Sequence, residues 1–277
     1  MMIYCRYILC DEEKGFMNQR EKIERVKEFR LIDDVFFEVL AQDKEVCEEM
    51  LRTIMEDDLL TVSDVTVQSS ERNLYGRSVR LDALCTLGNG TLCNIEVQRS
   101  NSDDHLRRAR YNASVITAKE TDIGTRFGNI PEVYVIYISE FDFLKGGRTI
   151  YHIEKVIKET GTFVDDGFHE IFVNTSVNDG TNISALMRCM MQKEVNDSHF
   201  PKLVNRVKFL KTSEGGKRVM CEIMENMIAE AVNEASNEEK TKAVINMLRL
   251  KNDEDEVRKL YPAEFEEGKR RFLEESN

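Results

Sequence analysis

Apolar and polar residues alternate on both sides of one glycine-rich turn, and this alternation is the clearest pattern in the chain. The turn reads Gly-Asn-Gly over Gly88–Gly90, and glycine and asparagine tolerate the positive φ that a tight reversal needs. We therefore predict a β-hairpin in which residues equidistant from Asn89 face each other. Its apolar face would carry Val79, Leu81, Ala83, Cys85, Leu87, Cys93, Ile95 and Val97. A slip of one residue would bring polar side chains onto that face, so the hydrophobic pattern fixes the register.

The other face of the predicted hairpin is polar. Asp82 lies across from Glu96, and Arg80 lies across from Gln98. Residues that face each other on adjacent strands point the same way, with Cβ atoms roughly 5 Å apart. Two carboxylates at that separation repel each other unless a positive charge lies between them. Mg²⁺ prefers oxygen ligands and usually takes one or two protein carboxylates, so this face is a candidate divalent-metal site.

The remaining periodicity predicts helices before the hairpin and strands after it. One helix should start after Asp33 and a second after Asp43, with both aspartates as N-caps. Thr61–Gln68 alternates as a first strand, and Val133–Ile138 is apolar throughout, which is typical of a central strand covered on both faces. Further strands are predicted over Thr149–Ile153 and His169–Asn174. Helices must then cover both faces of the sheet, which makes the core an α/β fold.

A helix is also predicted directly after the hairpin, capped by Ser100 or Ser102. Its buried stripe would consist of Leu106, Ala109, Ala113 and Ile116. A different face repeats at helical spacing and carries Arg107, Arg110, Tyr111 and Ser114. The region is dense in arginine, with Arg77, Arg80, Arg99, Arg107, Arg108 and Arg110. These guanidinium groups either pair with neighbouring carboxylates on a solvated surface or contact phosphates, and the sequence leaves both interpretations open.

Composition describes a large acidic protein and qualifies the candidate chemistry. The chain has 277 residues, 41% of them hydrophobic, and a formal net charge of −12, so it can bury a substantial core. A negative net charge is unfavourable for binding nucleic acid unless the positive charge is concentrated locally. Seven scattered cysteines without a C-x-x-C pair predict reduced thiols in the cytoplasm. No run approaches the roughly 20 apolar residues of a membrane span.

An ordered set of motifs resembles the PD-(D/E)XK nucleases. Asp82 followed by Glu96-Val97-Gln98 is similar to the Asp…(Asp/Glu)-x-Lys signature of that superfamily. The similarity is to the branch of recombination-promoting nucleases and putative transposases, in which the last position is often glutamine. The set also includes Asp33–Phe37, Arg80–Asp82, Arg108–Tyr111, Tyr134–Ile138 and His169–Asn174. The resemblance extends from about Leu31 to about Cys221.

The resemblance implies a restriction-endonuclease-like core that hydrolyses double-stranded DNA with Mg²⁺, or with Mn²⁺ as a substitute. Asp82 and Glu96 would hold the ion together with the Val97 carbonyl. The residues expected to contact DNA are Arg80, Arg107, Arg108, Arg110 and Tyr111. Gln98 supplies no positive charge where relatives have lysine. The metal or a nearby arginine would therefore carry that charge, and Arg80 is the candidate because it faces Gln98.

Three alternatives remain open. Asp34 is either a first-turn carboxylate that stabilises its helix dipole or, by resemblance, an acidic contributor to the metal site. The protein could be a catalytically weak or inactive DNA-binding or regulatory protein on a nuclease fold, since Gln98 replaces lysine. It could also be a purely structural protein in which the hairpin carboxylates pair with Arg80 and its neighbours.

The chain is expected to divide into four segments. Residues 1–24 form a leader, of which 1–16 would be untranslated in the native protein, because codons for Glu13-Lys14-Gly15 suit a ribosome-binding site. Residues 25–180 form the nuclease-like core, 181–250 a helical region and 251–277 a charged tail. The helices are predicted over Ile183–Met191, Phe200–Leu210, Gly216–Ala235 and Glu238–Leu250. They would serve as a dimerisation unit, a DNA clamp or a lid, so a homodimer is one of the predictions.

Overall fold

The structure is a computed structural model that describes residues 19–72, 78–101 and 104–275. These residues divide into two compact units. The larger unit comprises the described residues up to Cys221, and the smaller unit those from Glu222 onward. The predicted leader segment 1–16 lies outside the described residues. The first helix of the described chain is α1 (Gln19–Glu28).

The larger unit contains a six-stranded mixed sheet in the order β1-β2-β3-β4-β8-β5. Its strands are β1 (Val62–Arg72), β2 (Ser78–Leu87), β3 (Leu92–Gln98), β4 (Val133–Ser139), β5 (Ile150–Ile153) and β8 (Phe168–Asn174). The helices of this unit after α1 are α2 (Asp34–Ala41), α3 (Lys44–Met55), α4 (His105–Lys119), α5 (Asn182–Met190) and α6 (Pro201–Thr212), followed by the start of α7 (Glu214–Arg249). β3, β4 and β8 run parallel, whereas β1, β2 and β5 pair antiparallel. The predicted α/β class, a mixed sheet with a hairpin flanked by helices, is confirmed.

The hairpin formed by β2 and β3 has the predicted register. Cys85 pairs with Cys93 and Ala83 with Ile95, as a turn centred on Asn89 requires. Gly90 has φ +88°, a conformation that glycine adopts without steric cost. The side chains of Ala83, Cys85, Cys93 and Ile95 are fully buried, so the apolar face is part of the core.

Helices cover both faces of the sheet, as the apolar β4 strand predicted. On one face α4 packs Ala109 and Ala113 in a core cluster with Leu92, Val135 and Tyr137. On the other face α2 contacts β1 and β2, and α3 contacts β1. All the residues of β4 except Tyr134 are buried. The polar face of the hairpin therefore lies beneath α4 instead of facing solvent.

Three local predictions were wrong. Helix α4 is capped by Asp104, whose carboxylate accepts a hydrogen bond from the Arg107 amide at 3.0 Å, and the proposed caps at Ser100 and Ser102 are too early. His105 is buried in place of Leu106, which is 42% exposed. A single helix, α7, spans the two helices predicted between Gly216 and Leu250.

A short two-stranded ribbon was not predicted. It consists of β6 (Lys155–Ile157) and β7 (Thr162–Val164), inserted between β5 and β8, and all six residues are exposed. Residues exposed on both sides give no alternation of polar and apolar positions, and this alternation is the main signal for a strand.

The smaller unit contains the rest of α7 with α8 (Glu254–Leu260) and α9 (Phe265–Glu275). Its core consists of Val244, Leu248, Val257 and Phe265. Two helices thus occupy much of the predicted charged tail. Among the residues that the structure describes, no helix combines the length and apolar character needed to cross a lipid bilayer.

Candidate active site

The facing carboxylates of the hairpin are brought together where the β2–β3 ladder ends. Backbone pairing extends to Ala83 and Ile95. Beyond that point, the Asp82 carboxylate accepts a hydrogen bond from the Val97 amide at 2.9 Å. The Asp82 amide in turn donates to Glu96 Oε1 at 3.3 Å. Each carboxylate is therefore held by the main chain of the other strand, and the two converge on the α4 side of the sheet.

Glu96 is 1% exposed, and its two oxygens have different surroundings. Oε1 accepts a second hydrogen bond from Asn94 Nδ2 at 2.9 Å. Oε2 is buried and has no hydrogen-bond partner within the described chain. A buried carboxylate oxygen left in this way costs free energy and calls for an ion or a bound water. The unpartnered Glu96 oxygen is the feature of the site that most directly suits a cation.

The pKa values of both carboxyl groups are raised above their usual range. Burial is the main cause for Asp82, and the charges of Glu96 and Asp34 raise its pKa further. Burial also raises the pKa of Glu96, against the opposing effects of the Arg108 charge and the Asn94 hydrogen bond. Closely spaced acids in a dry site retain protons unless a cation neutralises them. With both groups ionised, the site would carry more negative charge than Arg108 offsets.

Asp34 belongs to the same acidic neighbourhood. It is the first residue of α2, and burial followed by the charge of the adjacent Asp33 raises its pKa. Its charge also contributes to the raised pKa of Asp82. Asp34 thus lies in the first turn of α2, where it stabilises the helix dipole, and also close to Asp82, where it could contribute to a metal site. The two interpretations of Asp34 are compatible.

Gln98 is fixed at both ends of its amide. Its Nε2 donates to the Ser100 carbonyl at 2.9 Å, and its Oε1 accepts from Arg108 at 3.0 Å. The same guanidinium lies 3.6 Å from Glu96 Oε2. The side chain of Arg80, which was the predicted cation opposite Gln98, lies outside the described part of the structure. Within that part, Arg108 is the cation that contacts Gln98.

Arg99 belongs to an ion-pair network instead of an open phosphate site. It lies 3.1 Å from Asp33 and 2.8 Å from Glu140, and Arg30 contacts the same two carboxylates at 3.2 and 2.6 Å. Asp33 is at the N-cap position, as predicted, but its carboxylate does not cap α2 and instead accepts from the Arg30 amide. For Arg99 the structure therefore favours the ion-pair interpretation.

The remaining predicted DNA contacts lie on the surface of α4. Arg107 is 78% exposed and pairs with Asp104 within its own helix. Arg110 is exposed, and Tyr111 is partly buried beside it. The arginines of this region thus have three different environments. Arg99 is held in ion pairs, Arg108 lies beside the two carboxylates, and Arg107 and Arg110 lie on the exposed face of α4.

Sequence reasoning missed the role of His105. The ring is 4% exposed, and its two nitrogens lie 2.8 Å from the Tyr137 hydroxyl and 3.1 Å from Asn101 Oδ1. These bonds tie the start of α4 to β4 and so fix the helix that carries Arg108. The partners are distant in sequence or in a loop, and no periodic signal indicates them.

A second group of side chains that could bind a metal lies at the N-terminal ends of β4 and β8, away from the end of β3 that carries Glu96 and Gln98. Ligand atoms of Glu132, Asp165 and His169 lie within 4.8 Å of one another. The two acids are exposed, and His169 stacks on the Tyr134 ring at 4.2 Å. Exposed acidic groups often lie together without an ion, so this group is a weaker candidate than the buried carboxylates.

A comparison with protein families matches residues 31–263 to the model described as PD-(D/E)XK nuclease family transposase. The match includes both carboxylates, Gln98 and all of α4. No curated protein and no solved structure matches the chain.

Proposed function

Because the chain belongs to the PD-(D/E)XK nuclease family, as a transposase-type member, we propose that it is a metal-dependent DNA endonuclease. The reaction is hydrolysis of phosphodiester bonds in double-stranded DNA, in recombination or the movement of mobile elements. The observation that carries this proposal is the buried Glu96 Oε2, which lies beside Asp82 and accepts no hydrogen bond from the described residues. The family supports a nuclease-type function, and the site's chemistry supports the metal.

The residues present fit a hard divalent cation. Asp82 and Glu96 supply carboxylate oxygens with raised pKa values, and Mg²⁺ or Mn²⁺ is the ion that oxygen ligands favour. The Val97 carbonyl and Asp34 are the proposed additional contributors. When bound, such an ion lowers the pKa of a coordinated water and neutralises charge on the scissile phosphate.

The protein's own residues would position the site and the substrate. The Val97 amide and Asn94 fix the orientations of the two carboxylates. Arg107, Arg110 and Tyr111 offer the open face of α4 to the DNA backbone, where guanidinium groups suit phosphate oxygens. Arg80 remains a proposed contact. Such a local positive surface would counteract the net charge of −12, and DNA binding should weaken steeply with salt.

A second candidate is a regulatory DNA-binding protein without turnover. The observation that favours it is Gln98, a neutral residue held by hydrogen bonds at both ends of its amide. This candidate predicts salt-sensitive DNA binding and no product with either Mg²⁺ or Mn²⁺. A cytoplasmic location suits both candidates. A homodimer through the C-terminal helices stays a prediction, which sedimentation of the full chain would test.

Plasmid cleavage tests the proposal. The wild type should nick or cut supercoiled plasmid with Mg²⁺ or Mn²⁺ and lose activity in EDTA. Asp82→Ala and Glu96→Ala should lose activity while circular dichroism shows an intact fold. Asp64→Asn is the matched control, since Asp64 is an exposed carboxylate on the neighbouring strand β1. Cleavage that persists in EDTA, or in the Glu96 variant, would refute the metal mechanism.

A further inference from the structure

Phosphodiester hydrolysis in this site requires a positive charge that Gln98 does not provide. Cleavage moves negative charge onto the phosphate oxygens and the leaving oxygen, and fixed donors aimed at that charge are the usual means of stabilising it. The amide of Gln98 is neutral, and it already has a partner at each end. Any positive charge that the protein adds to that of the metal ion must therefore come from a residue other than Gln98.

Arg108 lies where such a cation is needed. Its guanidinium is 3.0 Å from Gln98 Oε1 and 3.6 Å from Glu96 Oε2. Its side chain is 36% exposed, whereas that of Glu96 is 1% exposed. The guanidinium thus occupies the boundary between the buried carboxylates and the solvent from which DNA would approach.

We propose that Arg108 is a catalytic residue that binds the scissile phosphate, and that Gln98 positions it for this role. The inference rests on the proposed nuclease function and deepens it. Arg108 donates hydrogen bonds to the phosphate and transfers no proton. In the reaction a water oxygen forms a bond to phosphorus, the bond from phosphorus to the leaving oxygen breaks, and the water's two protons end on the product groups or in solvent.

The contacts of Arg108 with Gln98 and with Glu96 differ in a way that supports this division of roles. At 3.0 Å the contact with Gln98 is a hydrogen bond, while 3.6 Å to Glu96 is beyond hydrogen-bond distance. A cation that takes Glu96 as a ligand would therefore break no hydrogen bond to Arg108. With a cation of like charge held by Glu96, the hydrogen bond to Gln98 would keep the Arg108 guanidinium beside the site.

Other described arginines near the site are engaged elsewhere. Arg30 and Arg99 share the carboxylates of Asp33 and Glu140. Arg107 pairs with Asp104 on the helix surface. Side chains three or four positions apart on a helix face the same side. Arg107 is one position from Arg108, so the two side chains point in different directions. Arg108 is thus the arginine of α4 that reaches Gln98 and Glu96.

The test combines three measurements on the full-length protein. Mn²⁺ affinity without DNA is measured by electron paramagnetic resonance, duplex affinity in Ca²⁺ by fluorescence anisotropy, and cleavage under single-turnover conditions with saturating Mg²⁺. The variants are Arg108→Ala, Arg108→Lys and Gln98→Ala. Lys119→Ala is the control, since it removes a cation from the far end of the same helix.

Arg108→Ala should cleave about 100-fold more slowly, the size expected for one lost donor to a developing oxyanion. It should bind duplex more weakly in Ca²⁺ and bind Mn²⁺ at least as tightly as the wild type, because a competing positive charge is gone. Arg108→Lys should recover most of the lost rate. Gln98→Ala should lower the maximal rate more than the duplex affinity, because a misplaced guanidinium still attracts DNA. The control should match the wild type in all three.

Three results would overturn the inference. Arg108→Ala could cleave at the wild-type rate, or a folded Arg108→Ala could lose Mn²⁺ binding, which would make the arginine a structural support of the carboxylates. Equal duplex affinity for Arg108→Ala and Lys119→Ala would exclude the phosphate contact. A wild type that never cleaves refutes the proposed nuclease function instead, and the affinity comparison then still decides whether Arg108 contacts phosphate.

Discussion

Replacing Asp82 by asparagine removes one partly buried carboxyl group and leaves the size of the side chain almost unchanged. The amide oxygen of asparagine can still accept the hydrogen bond that Val97 donates to Asp82 at 2.9 Å. The substitution therefore isolates the electrostatic cost of placing Asp82 beside Glu96. We expect Asp82→Asn to stabilise the metal-free protein near pH 8.

The magnitude follows from the strand geometry. Facing residues on adjacent antiparallel strands have Cβ atoms roughly 5 Å apart, and two full charges at that distance repel by about 3 kcal/mol at an effective dielectric constant of about 20. Proton binding relieves part of this repulsion, because the pKa of Asp82 is raised in the folded state. We therefore expect a gain of about 1–3 kcal/mol in the free energy of unfolding.

The sign of the pH dependence is also fixed. A folded-state pKa above the unfolded value means that the folded protein holds the proton more tightly, so this stability is present at low pH and is lost as pH rises through the folded pKa. The advantage of Asp82→Asn should thus grow as pH rises from the unfolded-state pKa of an aspartate through the raised folded-state pKa of Asp82. With Mg²⁺ the order should reverse, because the wild type gains about 4.1 kcal/mol at 1,000 times its Kd.

Urea denaturation followed by circular dichroism, in EDTA and in Mg²⁺, measures these differences. Asp64→Asn is the control and should change stability by less than about 0.5 kcal/mol, as exposed substitutions do. A metal-free Asp82→Asn protein that is less stable than the wild type at pH 8 would contradict the reasoning. Equal stabilisation of both proteins by Mg²⁺ would show that the ion binds elsewhere.

Three further predictions concern ion binding by the two carboxylates, the ion pairs of Glu140 and the close packing around Gly216. Protons compete with the ion for the two facing carboxylates, so calorimetry should show Mn²⁺ affinity rising with pH through their raised pKa values; a constant Kd would contradict this. Glu140→Gln weakens the contacts to two arginines and should cost about 1–2 kcal/mol of stability in urea while Mn²⁺ affinity is unchanged. Gly216→Ala should lower the melting temperature, since the new Cβ would lie 2.2 Å from the Phe209 carbonyl oxygen, whereas Gly128→Ala has open space and should not.

The hairpin could be predicted because its register is encoded locally. The turn residues and the alternating strands lie within a short stretch, and the burial of one face excludes the neighbouring registers. The pairing of Cys85 with Cys93 followed directly. The convergence of Asp82 and Glu96 could be predicted for the same reason, because the two residues belong to the same pair of strands.

The contacts made by α4 could not be predicted in this way. Arg108 reaches Gln98 and Glu96 because the helix returns across the sheet after β3, and periodicity does not specify where a helix crosses a strand. Leu106 fits the helical spacing as well as any core residue, but the Asp104 cap and the hydrogen bonds of His105 decide which side chain is buried. Tertiary partners override periodicity at such positions.

The same limit applies to the charged residues. Arg99 and Asp33 are distant in sequence, and each was assigned a role within its own segment. In the structure they pair directly and share a network with Glu140 and Arg30, which only the meeting of α2, β3 and β4 creates. Residue type predicted a phosphate contact or an ion pair equally well, and spatial proximity decided between them.

Diffraction from crystals soaked in Mn²⁺ tests the central claim most directly, because anomalous scattering locates the ion without any assumption about activity. We predict a peak between the carboxylates of Asp82 and Glu96, within about 2.0–2.2 Å of their oxygens, that disappears in Glu96→Gln crystals. A peak confined to Glu132, Asp165 and His169, or Arg108 hydrogen-bonded to both carboxylates with no ion at saturating Mn²⁺, would contradict it.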